Sequence, residues 1–437
     1  MKKQLLFLGA FTVISFGVFA QNNANPDNVK VWLKPAGGTT QTGLNGYMPT
    51  KVDTNQWYNF TDESANFYVV FRSFSSEKTD LVDYNFACFD ASLHTGITDP
   101  RIPTKDLMQR KLQTGAIFKH SLNLPSSYIN PTDSKSFFTV KENAENQIYE
   151  LMYYDTSFES ADHQRVQTYL SLKYGISLLE KNNYVNRYGE PVWNINLNRN
   201  YNEHIFGLAR IDDFGLIQKQ SVNSLQPILT VTSLSDFADE EYMLLGDNAG
   251  KLTFVENENE MILDRQYVYQ NHGSEKNIVL KFDYTQIEDF DTDKIYVLRI
   301  NHGSTELDVE KSQDYLGRIA DGNLIFDNVT VNDYGLITLT NVTNAASFDE
   351  MEWVGSEKME IYPNPVEAGG KFHIDLNFNQ STDVDVYIYQ VNGKLISKNR
   401  LNAVTQQTFE HSVTTAGNYL IMVYAGGKLN TFKLLVK

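Results

Sequence analysis

The chain is dominated by apolar runs of strand length, each separated from the next by a few turn-forming residues. Clear examples are residues 67–71, 148–154, 278–282 and 295–300. Asn, Asp, Ser, Gly and Pro lie between such runs, and runs this short are typical of β-strands rather than of helices. The pattern therefore predicts a mainly β protein.

The net charge limits the kinds of molecule that the protein is expected to bind. The 437 residues carry a formal net charge of -17 at pH 7, and no cluster of basic residues interrupts the excess of acid. Because such a polyanion repels nucleic acid phosphates and anionic membrane surfaces, we expect no nucleic-acid partner. The apolar fraction of 41% is that of a globular chain.

The N-terminus has the pattern of a secretory signal peptide. Lys2 and Lys3 precede an apolar run, residues 5–20, and the expected cut lies between Ala20 and Gln21. The run is shorter than the roughly 20 residues that span a bilayer as a helix, although an uncleaved anchor is the alternative. No later segment reaches membrane length, so we expect a mature protein outside the inner membrane, without a transmembrane segment.

One segment has helical periodicity. Residues 161–174 are expected to form an amphipathic helix, with Ser160 as its N-cap and Gly175 at the left-handed C-terminal position. The apolar stripe consists of Val166, Tyr169, Leu170 and Tyr174, and the opposite face carries Gln164, Gln167 and Ser171. Because the stripe cannot remain in water, it is expected to pack between the regions before and after it.

The strand-rich remainder divides into three regions. Residues 29–176 predict a β-sandwich that ends with the helix, and residues 177–344 predict a second β-rich module. Residues 345–357 are a polar, acidic linker. Residues 358–437 alternate apolar and polar side chains around an Asn392–Gly393 hairpin turn, which predicts a small immunoglobulin-like sandwich.

The last region also carries an ordered set of short motifs. They are Ile-Tyr-Pro-Asn-Pro at 361–365, Gly-Gly-Lys-Phe at 369–372, a central hairpin at 386–394, Gly-Asn-Tyr-Leu at 417–420 and Lys-Leu-Leu-Val-Lys at 433–437. Taken in this order, the motifs resemble the C-terminal sorting domain of the type IX secretion system of Bacteroidota. The resemblance implies export through the periplasm to the outer cell surface or the medium, with the secretion machinery as partner.

The same resemblance implies a set of motif residues: Tyr362, Pro363, Asn364, Pro365, Gly393, Gly417, Tyr419, Lys433 and Val436. The prolines are expected to fix an extended lead-in before the first strand. The terminal strand, residues 429–436, is expected to complete the sandwich and to present its edge to the machinery. Alternation places Phe432, Leu434 and Val436 on the core side of that strand.

The first region carries Val-Trp-Leu-Lys at 31–34, Asn-Phe-Tyr-Val-Val-Phe at 66–71 and Glu-Leu-Met-Tyr-Tyr at 150–154. These residues resemble a divergent concanavalin A-like, laminin-G-like domain, which implies a jelly-roll sandwich. Residues 167–176 are similar to the helix that follows this domain in many secreted Bacteroidota proteins. Residues 73–143 depart from the family pattern, so the resemblance assigns no glycan site.

The second region is similar to an uncharacterised module that follows the same helix in those proteins. The residues that carry this resemblance lie at 189–193, 205–213, 215–221 and 244–248. The resemblance implies no activity.

Acidic clusters are the first place to look for catalysis. A glycosidase needs two carboxylates about 5 to 10 Å apart, and no strand carries the Glu-x-Asp-x-x-Glu spacing of jelly-roll glycosidases. The acidic clusters present are Glu256, Glu258 and Glu260; Asp289, Asp291 and Asp293; Asp212–Asp213; and Asp239–Glu241. For each of them a solvated edge, loop or turn is preferred over a site.

The Asp289 cluster begins like a calcium loop. Lys294 at the sixth position and Ile300 at the twelfth exclude an EF-hand, so only a different kind of calcium loop stays open.

Histidine and cysteine supply no site either. The eight histidines show no His-Glu-x-x-His spacing, and no Gly-x-Ser-x-Gly or phosphate-binding motif is present. Asn-His-Gly-Ser occurs at 271–274 and again at 301–304. The repeat could bring two imidazoles together at one site, but the preferred interpretation is that the same type of turn is used twice. The lone Cys88 lies in an apolar segment and is expected to be a buried strand residue, not a nucleophile.

These observations favour a secreted or cell-surface, non-enzymatic protein that binds glycans, adheres or acts structurally. The alternative is a hydrolase of an extracellular polymer. Close carboxylates in a groove of the first sandwich would favour the hydrolase, whereas exposed rings on a shallow face would favour binding, since rings stack on sugars. Trp57 and Tyr58 are the candidate rings, although core packing is expected for both. No catalytic residue, cofactor or metal ligand is identified.

Overall fold

A computed structural model gives the fold of the chain. It describes residues 24–35, 44–74, 80–85, 90–94, 114–123, 137–141, 146–178, 182–257, 260–292, 294–342, 358–390, 395–425 and 428–437. Over these residues the protein is mainly β, with one α-helix, as the short apolar runs predict.

The first region forms a sandwich of two antiparallel four-stranded sheets, here called the N-terminal sandwich. Its strands are β1 (Val29–Leu33), β2 (Trp57–Asn59), β3 (Ser64–Ser73), β4 (Asp80–Asn85), β5 (Asp90–His94), β6 (Ala116–Asn123), β7 (Phe137–Val140) and β8 (Asn146–Tyr154). The inner sheet has the order β1–β8–β3–β6, and the outer sheet has the order β2–β7–β4–β5.

The two-residue alternation of β3 and β8 gives the inner sheet two apolar faces. One face packs against the outer sheet and buries Phe67, Val69, Leu151 and Tyr153 among their neighbours. The residues between them, including Tyr68, Val70, Met152 and Tyr154, face the opposite way and join a second core. A sheet that is apolar on both faces must be covered on both, and the helix covers the second one.

That helix, α1 (Ser160–Tyr174), starts one residue earlier than the sequence predicts. Glu159, not Ser160, is the N-cap, because Asp162 accepts the Glu159 backbone N–H at 3.0 Å. The C-terminal prediction is confirmed, since Gly175 has a φ of 63° and donates its N–H to Ser171. A Cβ at position 175 would lie 2.1 Å from the Val222 carbonyl oxygen, so only glycine can end the helix here.

The second region forms a larger sandwich, here called the middle module. Its strands are β9 (Tyr184–Val185), β10 (Pro191–Trp193), β11 (Glu203–Ile211), β12 (Leu216–Gln218), β13 (Gln220–Val222), β14 (Leu229–Ser233), β15 (Glu241–Asp247), β16 (Phe254–Asn257), β17 (Glu260–Leu263), β18 (Tyr267–His272), β19 (Lys276–Asp283), β20 (Ile295–His302), β21 (Gln313–Leu316), β22 (Arg318–Ala320), β23 (Asn323–Val331) and β24 (Tyr334–Val342).

Two sheets of the middle module face each other. The larger one has the order β12–β11–β15–β18–β24–β17–β16, with β20 also paired to β24 and β21 to β20. The smaller one has the order β13–β14–β19–β23–β22, and the short pair β9–β10 stands apart. Both sheets contribute aliphatic and aromatic side chains to one core, for example Phe206 and Leu245 from the larger and Leu280 and Phe326 from the smaller.

Helix α1 lies between the two sandwiches, as the sequence predicts. Val166, Tyr169, Leu170 and Tyr174 share one core with the inner sheet and with the larger sheet of the middle module. The polar side of the helix is also covered, because Gln167 and Ser171 are buried along with Arg165 and Lys173. The two sheets of the N-terminal sandwich, helix α1 and the two sheets of the middle module therefore form five layers.

The last region forms a small sandwich, here called the sorting module. Its strands are β25 (Lys358–Tyr362), β26 (Lys371–Gln390), β27 (Leu395–Ser412), β28 (Gly417–Ala425) and β29 (Lys428–Val436). The long strand β26 pairs with β27 on one edge. On its other edge it pairs first with β25 and then with β28, which in turn pairs with β29. The bent β26–β27 ribbon thus belongs to both layers of the sandwich.

The terminal strand partly follows the prediction. Leu434 and Val436 are buried and Phe432 packs against the same core, which confirms the predicted core side. The predicted edge is present in part, because β29 is the edge strand of its sheet but its last residues are covered. Val366 donates its N–H to the Leu435 carbonyl and accepts from the Lys437 N–H, so the chain that follows β25 covers the end of this edge.

The sorting module packs on the middle module through what we call the tyrosine face. This face consists of Tyr387 and Tyr389 on β26 and Leu420, Met422 and Tyr424 on β28. It contacts the cross-strand pair Val297 and Leu316. The Tyr424 hydroxyl donates to the Asp327 carbonyl oxygen at 3.1 Å.

Candidate functional site

Trp57 is the most exposed aromatic side chain of the N-terminal sandwich among the described residues. It is 65% exposed, and its indole stacks on the Phe137 ring with centroids 4.8 Å apart and planes 9° from parallel. The expectation that Trp57 packs in the core is therefore wrong. Alternation along the edge strand β2 turns Trp57 outward and only Tyr58 inward, where it is half-buried and stacks on Phe138.

Polar groups surround the stacked rings on the same outward face. Thr139 lies opposite Trp57 in the register, and Asp83 lies opposite Thr139 on the next strand. Asp83 forms an ion pair with Lys141 at 3.0 Å, and both side chains are partly exposed. We call this surface, with Trp57, Phe137, Asn59, Thr139, Asp83 and Lys141, the Trp57 face.

The arrangement suits a ligand that has a flat apolar face and hydroxyls at its edge. An exposed ring held flat by a second ring offers an apolar platform without a rearrangement on binding. The partly exposed Asp83 carboxylate and Lys141 ammonium can form hydrogen bonds with hydroxyls at the platform edge.

A second concentration of polar groups is enclosed at the base of α1. Glu150 on β8 is fully buried, and its carboxylate accepts four hydrogen bonds. The donors are Trp32 Nε1 at 2.6 Å, Tyr169 OH at 2.8 Å, Lys173 Nζ at 2.7 Å and Tyr174 OH at 2.6 Å. We call this set the Glu150 network.

The Glu150 network ties three elements together. Its donors come from β1 and from two turns of α1, so it fixes the helix on the inner sheet. Burial and then the Glu150 charge raise the pKa values of Tyr169 and Tyr174, so both phenols stay protonated donors. Burial lowers the pKa of Lys173, while the Glu150 carboxylate acts in the opposite direction. A carboxylate whose acceptor positions are all occupied within the fold is structural rather than catalytic.

The acidic pairs of the middle module are engaged in ion pairs, not free in solvent. Arg187 contacts Asp239 and lies 3.3 Å from Glu240, and Arg165 contacts Asp213 at 2.7 Å. Glu241 differs, because burial acts to raise its pKa but hydrogen bonds from Lys276 and from two backbone N–H groups lower it to about 2.

The other acidic clusters occupy turns and edges, as predicted. Glu256 lies on the edge strand β16 and Glu260 on β17, so they belong to two strands of a hairpin and share no single strand face. Asp289 and Asp291 precede β20, where Asp291 exchanges backbone hydrogen bonds with the Tyr296 hydroxyl. Within the described residues, no group of three His, Cys, Asp or Glu side chains could hold a metal ion.

The two Asn-His-Gly-Ser segments flank strand β24 but form different turns. Gly273 has a φ of 148° and Gly303 a φ of 69°. Asn271 donates to the Ser274 carbonyl, whereas Asn301 donates to the Asp308 carbonyl. The preferred interpretation, one turn used twice, is therefore wrong.

The imidazoles of these segments also have separate partners. His302 Nδ1 meets the Tyr269 hydroxyl at 2.8 Å, and His272 is bonded to the backbone of Val192.

The motif residues of the sorting module lie mainly along its closing edge. Tyr362 ends β25, so the prolines follow the first strand and do not precede it, which corrects the predicted lead-in. Asn364 donates to the Lys433 carbonyl at 2.6 Å and accepts the Leu435 N–H at 3.0 Å, so its side chain acts as a short backbone partner of β29. Tyr419 is buried and donates to the Thr415 carbonyl.

Three further motif residues complete the set. Gly417 begins β28 with a φ of 153°, Lys433 is exposed, and Val436 is buried in the core. Gly393, Cys88 and the cleavage residues Ala20 and Gln21 lie outside the described residues, as do Glu258 and Asp293.

Two family profiles match parts of the chain. Residues 162–335 match a domain of unknown function, DUF8202, and this match includes most of α1. Residues 360–437 match the secretion system C-terminal sorting domain. No curated protein matches the chain.

Solved structures show only distant likeness. A CARDB domain from Pyrococcus furiosus is 19% identical over 21% of this chain and 99% of that one, with a TM-score of 0.13. A β-glucuronidase from Parabacteroides merdae is 9% identical over 38% of this chain and 28% of its own, with a TM-score of 0.15. Latent PorU from Porphyromonas gingivalis is 8% identical over 90% of this chain and 33% of its own, with a TM-score of 0.16.

The sorting domain determines the destination of the protein. With this domain at residues 360–437, the chain is a substrate of the type IX secretion system and is exported to the cell surface or outside the cell. Within the described residues, no helix has the length and apolar character needed to cross a membrane.

Proposed function

We propose that this exported protein is a non-enzymatic binding protein whose N-terminal sandwich holds an extracellular glycan on the Trp57 face. The observation that carries the proposal is the exposed indole of Trp57, stacked flat on Phe137 beside a charged pair. Adhesion to a polysaccharide matrix would follow directly from such a site on a surface-displayed protein.

We also propose that the N-terminal sandwich is a divergent concanavalin A-like domain. Its two antiparallel four-stranded sheets and the positions of residues 31–34, 66–71 and 150–154 in β1, β3 and β8 support it. We further propose that a signal peptide is removed between Ala20 and Gln21. The motif residues of the sorting module would then act in export across the outer membrane.

The experiment is a glycan array probed with the mature chain, residues 21–437, with and without calcium. We expect retention of a defined class of glycan by the wild type and its loss in Trp57→Ala. Tyr188→Ala is the matched control, because Tyr188 is 69% exposed but lies on the middle module. Absence of retention on any glycan, or equal retention by both variants, would contradict the proposal.

A parallel assay separates binding from hydrolysis. The retained glycan is incubated with the wild type, and newly formed reducing ends are measured. We expect no release, because Asp83 is the one carboxylate among the residues that define the Trp57 face and it is paired with Lys141, whereas glycoside hydrolysis needs two carboxyl groups. Release of reducing ends would establish the hydrolase instead.

A further inference from the structure

We propose that Asn45 is a deamidation site that the fold protects, and that its deamidation weakens the docking of the N-terminal sandwich on the middle module. The reactive pair is Asn45–Gly46, and the segment that carries it, residues 44–47, is here called the Asn45 turn. Deamidation converts the side-chain amide to a carboxyl group and needs only water as co-reactant. Because the inference concerns a modification of the chain, it stands independently of glycan binding.

The Asn45 turn has a sequence that fits its backbone. Asn45 has a φ of 49° and Gly46 a φ of 87°. Two successive residues with positive φ are what a type I′ turn requires, and Asn-Gly is the pair that such turns prefer. Leu44 and Tyr47 pair across the turn, and Leu44 is fully buried in the core that the two sandwiches share. The turn therefore holds Asn45 at the junction of the two sandwiches.

The side chain of Asn45 connects the N-terminal sandwich with two other elements. Its Nδ2 donates to the carbonyl oxygens of Leu172 at 3.4 Å and Lys173 at 3.2 Å, and to the Ser221 hydroxyl at 3.1 Å. Its Oδ1 accepts the Val222 N–H at 3.1 Å. The two carbonyls belong to the last turn of α1, where helical partners are absent, and the other two groups lie on the edge strand β13. One amide therefore joins the turn to α1 and to the middle module.

Deamidation of Asn45 proceeds through attack by the next backbone nitrogen. The Gly46 nitrogen bonds to Asn45 Cγ and loses its proton, while the Cγ–Nδ2 bond breaks and the side-chain nitrogen leaves as ammonia. Water then opens the cyclic imide at either carbonyl, which gives aspartate or isoaspartate. Glycine after asparagine favours the attack, because it has no Cβ beside the reacting nitrogen.

The fold opposes this reaction at two points. Ring closure requires Asn45 Cγ to turn toward the Gly46 nitrogen, whereas four hydrogen bonds hold the amide against α1 and β13. The leaving atom, Nδ2, is the donor in three of these bonds, so the reaction has to break them. An unfolded chain has none of these restraints. Deamidation is therefore expected in chains that stay unfolded and is suppressed in folded ones.

The product carboxylate does not fit the same position. It places an oxygen acceptor, in place of the Nδ2 donor, opposite the carbonyl oxygens of Leu172 and Lys173. Two acceptors form no hydrogen bond, so the carbonyls at the end of α1 lose a donor. The new negative charge also lies at the C-terminus of α1, where the helix dipole is itself negative. Deamidation therefore weakens the contact between the two sandwiches.

The test is the rate of deamidation at Asn45, measured by mass spectrometry of tryptic peptides. The mature chain is incubated at mildly alkaline pH, with and without denaturing urea. We expect deamidation to be at least about tenfold faster in urea, because the folded chain must first open locally. Asn392, which precedes Gly393 in the chain's other Asn-Gly pair, is the internal reference for the reaction in urea. Equal rates at Asn45 in the folded and unfolded chains would overturn the inference.

Gly46→Ala is the matched control for the chemistry. A Cβ at position 46 would meet no atom within 4 Å, but it stands beside the attacking nitrogen. We therefore expect Gly46→Ala to slow deamidation of Asn45 in urea and to leave that of Asn392 unchanged. Equal rates at Asn45 in Gly46→Ala and the wild type would contradict attack by the Gly46 nitrogen.

The effect on docking is measured separately by thermal unfolding. Asn45→Asp should lower the unfolding midpoint by at least about 2 °C, and wild-type chains deamidated in urea and then refolded should show the same shift. Asn55→Asp is the matched control, because it adds the same charge at an exposed position of the N-terminal sandwich and should keep the wild-type midpoint. A wild-type midpoint for Asn45→Asp would contradict the proposed effect on docking.

Discussion

Glu150 is a buried charged residue whose hydrogen bonds join β1, β8 and α1 in the N-terminal half of the protein. A carboxylate in an apolar strand costs several kcal/mol to bury unless it is paired and hydrogen-bonded. Here Lys173 supplies the opposite charge, and Trp32, Tyr169 and Tyr174 supply neutral donors. The sequence shows Glu150 inside its apolar run, but its partners lie on other elements, so periodicity alone could not identify the network.

Lys173→Met should be among the most destabilising single changes in the chain. It leaves the buried Glu150 carboxylate with neutral donors only, which costs on the order of 3 to 5 kcal/mol. Lys219→Met is the control, since Lys219 pairs with Asp236 in an exposed position, and it should leave the free energy of unfolding close to that of the wild type. Urea unfolding of both variants measures the difference. A cost for Lys173→Met no larger than that of the control would show that the network is not structural.

Trp57 shows the limit of sequence reasoning at a single residue. Strand alternation predicts that neighbouring residues face opposite sides, but not which side of a three-residue edge strand is the core. The register with β7 decides this, because it pairs Tyr58 with the buried Phe138.

At the scale of the element, the place and length of α1 and the contacts of its apolar stripe were predictable, but the burial of its polar side was not. Its spacing and Gly175 predicted the helix and its end, and the stripe predicted contact with both sandwiches. The buried polar side was not predictable, because its partners are groups on other elements. Thr168, for example, accepts the backbone N–H of Val185.

Leu170→Ala should destabilise the protein by about 2 to 5 kcal/mol, because Leu170 is fully buried between the two sandwiches. Ser160→Ala is the control on the same helix. Since Glu159 is the N-cap and Ser160 is exposed, the control should change the free energy of unfolding by at most about 0.5 kcal/mol. Chemical denaturation monitored by circular dichroism checks both values. A cost of about 1 kcal/mol for Ser160→Ala would restore it as the cap.

In the sorting module as well, the local sequence predicted which side chains are buried but not the contacts with distant residues. Alternation correctly predicted the core side of β29, because it depends only on local sequence. The coverage of its last residues depends on Asn364 and Val366, some seventy residues earlier, and was not predictable from the strand itself.

At the scale of the whole molecule, buried tyrosines lie in the cores between the layers. Burial raises the pKa of Tyr184 to about 12, and of Tyr296 likewise to about 12. Because the folded-state pKa exceeds the unfolded value near 10, the unfolded chain loses these protons first. Their contribution to stability is therefore complete below pH 10 and is lost as the pH rises above it.

Alkaline titration should show this coupling. We expect the buried tyrosines to ionise together with unfolding, in one cooperative step above pH 10, when absorbance at 295 nm and circular dichroism are recorded on the same samples. Ionisation of all tyrosines near pH 10 with the circular dichroism signal unchanged would contradict the burial described here.

Deletion of residues 358–437 should trap the protein in the periplasm, because it removes the sorting domain. The N-terminal sandwich and middle module should still fold, since α1 and their shared core remain. Fusion of the same residues to an unrelated periplasmic protein should carry that protein across the outer membrane. Cell fractionation with immunoblotting checks both, and equal export of the truncated and full chains would contradict the assignment.

The central claim is that the Trp57 face of an exported protein holds a glycan. Its most direct measurement is the dissociation constant of the mature chain for the glycan retained on the array, compared among wild type, Trp57→Ala and Tyr188→Ala. We predict at least a tenfold weaker Kd for Trp57→Ala, about 1.4 kcal/mol of binding free energy, and a Kd within about twofold of wild type for Tyr188→Ala. Equal affinities for the wild type and Trp57→Ala would contradict the claim.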